Sequence, residues 1–208
     1  APIKGEAKDS ADMGRPALPA EHLMEQGRTA FKNGDFAAAV SSWSEAARLF
    51  EKGGNTKKSA EALTKLSQAH QALGQHQDAL KSVEKALSLA QQGKDERQAA
   101  EALAVLGNIR SSLGESERAH RNLDEALATA KRLGDPDLSA RILNTLGNLF
   151  AAQGNHEEAL RAYRESASVA PERGGTAAAA LVNSAFAFFS LGNYSEAASG
   201  LEKSLPLL

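Results

Sequence analysis

The sequence predicts an all-α solenoid of about five helix-turn-helix repeats, on three observations. Glycines at 34, 74, 114, 154 and 192 and alanines at 39, 79, 119, 159 and 197 form two series that share the steps 40, 40, 40 and 38. Between them, apolar residues recur at helical spacing: Leu143, Leu146, Gly147 and Phe150 before Gly154, then Ala159 and Tyr163 after it. Of 208 residues, 42% are hydrophobic but only 5% aromatic, so the interior is built mainly from Ala and Leu, which suits closely packed helices. Self-similarity at a fixed period marks architectures in which each hairpin buries its apolar face by stacking on the next. One elongated domain over 20–208 follows.

Residues 1–19 hold three of the six prolines among Lys, Asp, Ser and Gly with no apolar period, and are expected to be a disordered leader or linker. The repeats then run over about 20–54, 55–94, 95–134, 135–174 and 175–208. In repeat one the first helix ends at Asn33-Gly34-Asp35. There Gly34 is free to take the left-handed conformation and Asp35 is placed to cap the second helix. Ala39, Trp43 and Ala46 share one face of that helix, small residues that admit a close neighbour and a large one that fills the gap. Lys52-Gly53-Gly54-Asn55 separates repeats one and two, and Gln92-Gly93-Lys94-Asp95 separates two and three. Gly134-Asp135-Pro136 is the clearest boundary: a glycine stop, an Asp cap, and Pro at the first helical position, where its missing N–H is harmless. Repeat five is weaker. Ser184 and Ala185 replace the Leu-Gly pair, and Pro206 ends its second helix early. Its closing Leu205-Pro206-Leu207-Leu208 lacks the polar outer face of a capping helix, so the natural chain is expected to continue.

Several functions are disfavoured. With 24 basic and 26 acidic residues the net charge is −2, which provides no global field for nucleic acid or an anionic membrane. No apolar run approaches the roughly 18 residues of a membrane span. Cysteine is absent, so disulfides, thiolate metal sites and cysteine nucleophiles are excluded. The five histidines, at 22, 70, 76, 120 and 156, form neither HExxH nor an i,i+4 pair, and His76 and His156 are expected to be half-buried packing residues. No nucleophile stands beside a base. The expectation is therefore a non-catalytic protein with no cofactor and no metal. The start at Ala1 implies that a targeting segment or tag was removed, which leaves cytoplasmic and periplasmic or secreted locations open.

Leu143-x2-Leu146-Gly147-x2-Phe150, Ala159-x3-Tyr163 and Pro171 resemble the tetratricopeptide (TPR) repeat, with Leu where the family usually has Trp. The resemblance covers roughly residues 20–204 and implies a right-handed superhelix. The forty-residue period exceeds the usual TPR length of about 34. This longer form is similar to the repeats of kinesin light chains, of animal cell-polarity adaptors and of bacterial proteins that carry an effector domain.

The resemblance also implies that the first helix of each repeat lines a concave face. Counting back from the turn glycines places Arg28, Phe31 and Lys32 of repeat one there, with Gln68, Asn108, Arg141, Asn144 and Asn148 in the middle and Phe186 and Phe189 at the end. Gln68, Asn108 and Asn148 share one offset. Each amide offers a donor and an acceptor, able to pair with the main chain of an extended peptide without reading its side chains. Phe186 and Phe189 would take an apolar ligand side chain, and Arg28, Lys32 or Arg141 an acidic one. The competing reading is an inert wall, since a solvated Asn in a helix costs only about half a kcal/mol. The expected function is thus a protein-interaction module that grips an extended segment of a partner. The alternative is a spacer, or a self-association element whose exposed aromatics in repeat five join copies into a homo-oligomer.

Overall fold

The computed structural model describes residues 19–171 and 175–207. The leader expected over 1–19 lies, apart from Pro19, outside the described residues. Among the described residues, ten α-helices follow one another in five hairpins. Repeat one pairs α1 (Ala20–Lys32) with α2 (Phe36–Lys52), and repeat two α3 (Thr56–Ala72) with α4 (His76–Gln92). Repeat three pairs α5 (Glu96–Ser112) with α6 (Ser116–Arg132), and repeat four α7 (Pro136–Ala152) with α8 (His156–Val169). Repeat five pairs α9 (Gly175–Ser190) with α10 (Tyr194–Ser204), and a short 3-10 turn, Leu205–Leu207, closes the described chain.

The turns form for local reasons. Gly34, Gly74, Gly114, Gly154 and Gly192 all have φ between 71° and 79°, the left-handed region in which a side chain is crowded. The connections between repeats use the same device one residue after the helix cap, at Gly54 (φ 70°) and Gly134 (φ 63°). Between repeats two and three that position belongs to Lys94 (φ 53°), because Gly93 takes the preceding right-handed place. Asp35, Asn55, Asp95 and Asp135 then each accept a backbone N–H three residues on, at 2.9 to 3.1 Å, which satisfies a donor at the start of the next helix.

Inside each hairpin a small residue faces a large one. A Cβ on Gly27 would overlap the Trp43 indole, one on Gly107 would sit 2.7 Å from Leu123 Cγ, and one on Gly147 would overlap the Tyr163 ring. Repeat two narrows the difference: Ser67 stands where repeats one, three and four have glycine, and its partner is the smaller Val83, both fully buried. The apolar interior runs along the array as three successive clusters instead of one central core. Consecutive first helices touch each other (α3 with α5, α5 with α7, α7 with α9), whereas among the described residues no consecutive second helices make comparable contact. The first helices therefore line the tighter side of the array. No described helix is long and apolar enough to cross a membrane.

Candidate functional site

Two cavities open along the face made by the first helices. One, of about 490 Å³, has a floor of Val105, Leu138 and Ile142 beneath a polar ring that includes Gln68, Glu101, Asn108, Arg141 and Asn144. The other, of about 460 Å³, is lined by Arg28, Lys57, Lys65 and Arg97 among others, and shares Glu101 and Arg141 with the first. Helical periodicity explains the assembly: the residues that meet the second helix of their hairpin are apolar, and those a third of a turn away are free to be polar.

The amides are joined across repeats. Asn108 Nδ2 donates to Gln71 Oε1 at 3.3 Å, tying repeat three to repeat two. Asn183 Nδ2 donates to Asn144 Oδ1 at 3.0 Å and to Asn148 Oδ1 at 3.2 Å, tying repeat five to repeat four. Tyr163 belongs to the second helix of repeat four, yet its hydroxyl reaches past Gly147 and donates to Asn148 Oδ1 at 2.8 Å. Burial of this phenol pushes its pKa up to about 12, so it remains a protonated donor.

Glu101 is the charged hub. Its side chain is only 10% exposed, and it meets Arg141 at 3.4 Å, Arg97 at 3.5 Å and Lys65 at 3.7 Å. Arg141 also pairs with Asp137 at 3.2 Å, and Arg97 with Asp135 at 2.7 Å. Cations and carboxylates so interlaced offset each other's desolvation and hold the three first helices α3, α5 and α7 in register.

The residues singled out by sequence are distributed as follows. Gln68, Asn108, Arg141 and Asn144 line the larger cavity together, and Asn148 joins them through Asn183. Arg28 lines the smaller cavity and pairs with Glu25 at 3.1 Å. Phe31 is half-buried, its ring 5.1 Å from Phe36 and 5.5 Å from Trp43, while Lys32 is exposed on the last turn of α1 and lines neither cavity. Phe186 and Phe189 are 66% and 62% exposed on α9, and Phe189 stands edge-on to Tyr194 at 5.2 Å. His76 and His156 are half-buried at equivalent turn positions.

Three participants are not evident from sequence offsets. Glu101 shares the offset of Arg141, but a lone acid on a polar face gives no sign of its three cations. Tyr163 was read as interior. Asn183 falls one position beside the template, and its signal was that it is the sole amide in the otherwise apolar α9.

The family model for the MalT-like TPR region matches residues 19–204. The chain belongs to this family. No curated protein matches the sequence. Among solved structures, this TPR chain is similar to a Rap protein complexed with Competence and Sporulation Factor, at 18% identity over 93% of this chain and 55% of that one, TM-score 0.85. It is also similar to the Rap conjugation gene regulator of plasmid pLS20 in complex with the Phr* peptide, at 20% identity over 99% and 59%, TM-score 0.79. A third is a Podosopora anserina putative kinesin light chain with nearly identical TPR-like repeats, at 18% identity over 94% and 97%, TM-score 0.64. At these identities the likeness shows the fold. The chain spans under two thirds of either Rap protein.

Proposed function

We propose that this TPR array is a non-catalytic protein-interaction module whose trough binds an extended peptide segment of a partner protein. The observation that carries the reading is an open cavity of about 490 Å³ with an apolar floor, lined by the amides Gln68, Asn108 and Asn144 of α3, α5 and α7. Arg28, Phe31, Lys32, Gln68, Asn108, Arg141, Asn144, Asn148, Phe186 and Phe189 are the proposed contact set. Within it the amide stretch is central and the repeat-one residues peripheral. Concave surfaces of repeat arrays present many such groups in a fixed frame, so a ligand gains main-chain hydrogen bonds without ordering the protein. The two Rap structures, one with Competence and Sporulation Factor and one with the Phr* peptide, support the same use of a similar fold.

The test is capture from a pool of randomised octapeptides, acetylated and amidated at their ends, with retained sequences read by mass spectrometry and remeasured by calorimetry. Asn148→Ala is expected to reduce capture at least tenfold while helicity stays unchanged and the melt falls only by the amount that Tyr163→Phe, which removes the same partly buried hydrogen bond, also shows. Equal retention by wild type and Asn148→Ala would sink the reading.

A second reading is favoured by one residue. Leu201 occupies the place that Trp43, Val83, Leu123 and Tyr163 hold in the earlier hairpins; those four are at most 3% exposed and Leu201 is 45% exposed. We infer that this uncovered stacking position, together with the exposed Phe186, Phe189 and Tyr194 of the same repeat, can seat a second copy of the chain. Light scattering between micromolar and millimolar protein is expected to show a rising mass that Leu201→Ser abolishes; a constant monomer mass removes this reading.

A further inference from the structure

The inference concerns which backbone groups the trough can read, and it rests on the peptide-binding reading above. An amide side chain has two N–H donors and one carbonyl with two lone pairs. Among the described residues, Asn183 has both hydrogens engaged, one on Asn144 Oδ1 at 3.0 Å and one on Asn148 Oδ1 at 3.2 Å, and its own carbonyl has no partner. Asn148 Oδ1 receives Asn183 and the Tyr163 hydroxyl at 2.8 Å, so both its lone pairs are used, and its NH2 meets no other described residue. Asn144 likewise has its carbonyl occupied by Asn183 and no described partner for its NH2. Because Asn183 bridges the other two, the unused groups run donor, acceptor, donor across the α7–α9 seam.

The edge of an extended strand supplies the complement. Each residue directs its N–H and C=O to the same side, and the next residue directs its pair to the other. One edge therefore reads C=O of residue i, N–H of residue i+2, C=O of residue i+2, which is acceptor, donor, acceptor. We propose that Asn144, Asn183 and Asn148, held in one polarity by Tyr163, read that three-group edge of an extended peptide and require a free backbone N–H at its residue i+2. The ligand class is an extended segment with any residue except proline at that place, since proline has no N–H. Tyr163 is a positioning residue. It touches no ligand, but its hydroxyl donates to Asn148 Oδ1 and so opposes the flip that would turn the last donor of the pattern into an acceptor.

The experiment uses the full chain and the octapeptides retained in the capture above. Each is resynthesised with a single N-methyl group at successive positions, and its affinity is measured by calorimetry. One position is expected to lose about tenfold or more, since a missing hydrogen bond with a buried unpaired acceptor left behind accounts for roughly that factor. The remaining positions are expected to change less than about threefold. Tyr163→Phe keeps the buried ring and is expected to lower affinity about fivefold and to flatten the N-methyl profile, which a merely structural role would not do. A flat profile in the wild-type protein, with Asn148→Ala still abolishing capture, overturns the polarity while leaving the trough in place. Loss of the Asn148→Ala effect removes the trough itself. Should no octapeptide be retained, side-chain amide exchange in the free protein decides: the Asn183 NH2 is expected to exchange at least tenfold slower than the Asn108 NH2 and to speed up in Tyr163→Phe. Equal rates for Asn183 and Asn108 overturn the proposal.

Discussion

Gly147→Ala tests the small-against-large rule that holds each hairpin shut. The added methyl would lie 2.9 Å from Tyr163 Cζ and closer still to two other ring carbons, so the ring or the helix must move. Overpacking of this kind costs about 1–3 kcal/mol. Alanine in mid-helix returns about 1 kcal/mol of propensity relative to glycine. The net expectation is destabilisation by about 1 kcal/mol. In a Tyr163→Val background the ring is gone and the pair approaches Ser67 against Val83, which this chain already tolerates with both residues buried. There the same alanine should stabilise by about 1 kcal/mol through propensity alone. The double-mutant cycle, measured by urea unfolding followed at 222 nm, is therefore expected to show a coupling of about 2 kcal/mol. Coupling within about 0.3 kcal/mol of zero, or a neutral Gly147→Ala in the wild-type background, would refute the packing argument.

Further expectations follow from single sites. Lys94 has φ 53° where repeats one and three have glycine, so Lys94→Gly should raise stability by about 0.5 kcal/mol, the left-handed strain relieved exceeding the added freedom of the unfolded chain; an unchanged urea midpoint counts against it. Glu101→Gln leaves three cations without their shared carboxylate, and should destabilise by about 1–3 kcal/mol and weaken the salt dependence of the thermal midpoint. The Gln98 backbone N–H bonded to Asp95, with Lys57 at 3.1 Å assisting and partial burial opposing, holds the Asp95 carboxyl below its ordinary value. A lowered folded-state pKa gives stability that is complete above the unfolded value of about 3.9 and is lost as pH falls through the folded one. Asp95→Asn should therefore show a smaller drop in urea midpoint between pH 6 and pH 3 than the wild type; an identical drop would show that the charge on Asp95 contributes nothing.

The hairpins were legible because their signals are local and repeated. A glycine that must turn left and an alanine that must meet a neighbouring helix recur at one spacing, and each of the five glycines sits in the turn between the two helices of its hairpin. Lys94 was not legible as a strained residue, since the adjacent Gly93 looked like the turn and only the backbone shows that it takes the right-handed place. The amide face was legible as a set of offsets, but its wiring was not. The last step of the array is 38 residues instead of 40, so the counterparts of Asn144 and Asn148 in α9 are Val182 and Phe186, and Asn183 stands between them. A bond from Asn183 to both asparagines depends on how two repeats stack, and no single repeat carries that information.

The interior of a hairpin also decides what its outer wall can present, and repeat four is where the two meet. Trp43 uses its Nε1–H on the Met24 carbonyl at 3.1 Å, and Val83 and Leu123 have no polar atom to offer. Only Tyr163 extends a hydroxyl from the second helix through to an amide on the first. It can do so because residue 147 is glycine: the ring lies where a Cβ would be. The glycine that looks like a packing requirement thus also fixes the orientation of Asn148. Gly147→Ala is then expected to perturb the Asn148 side-chain amide signal as well as the melt, whereas Gly107→Ala, which crowds Leu123, should perturb only the melt. On the proposed trough, packing and recognition would be coupled in repeat four and separable in repeat three, and those two variants distinguish the cases within one protein.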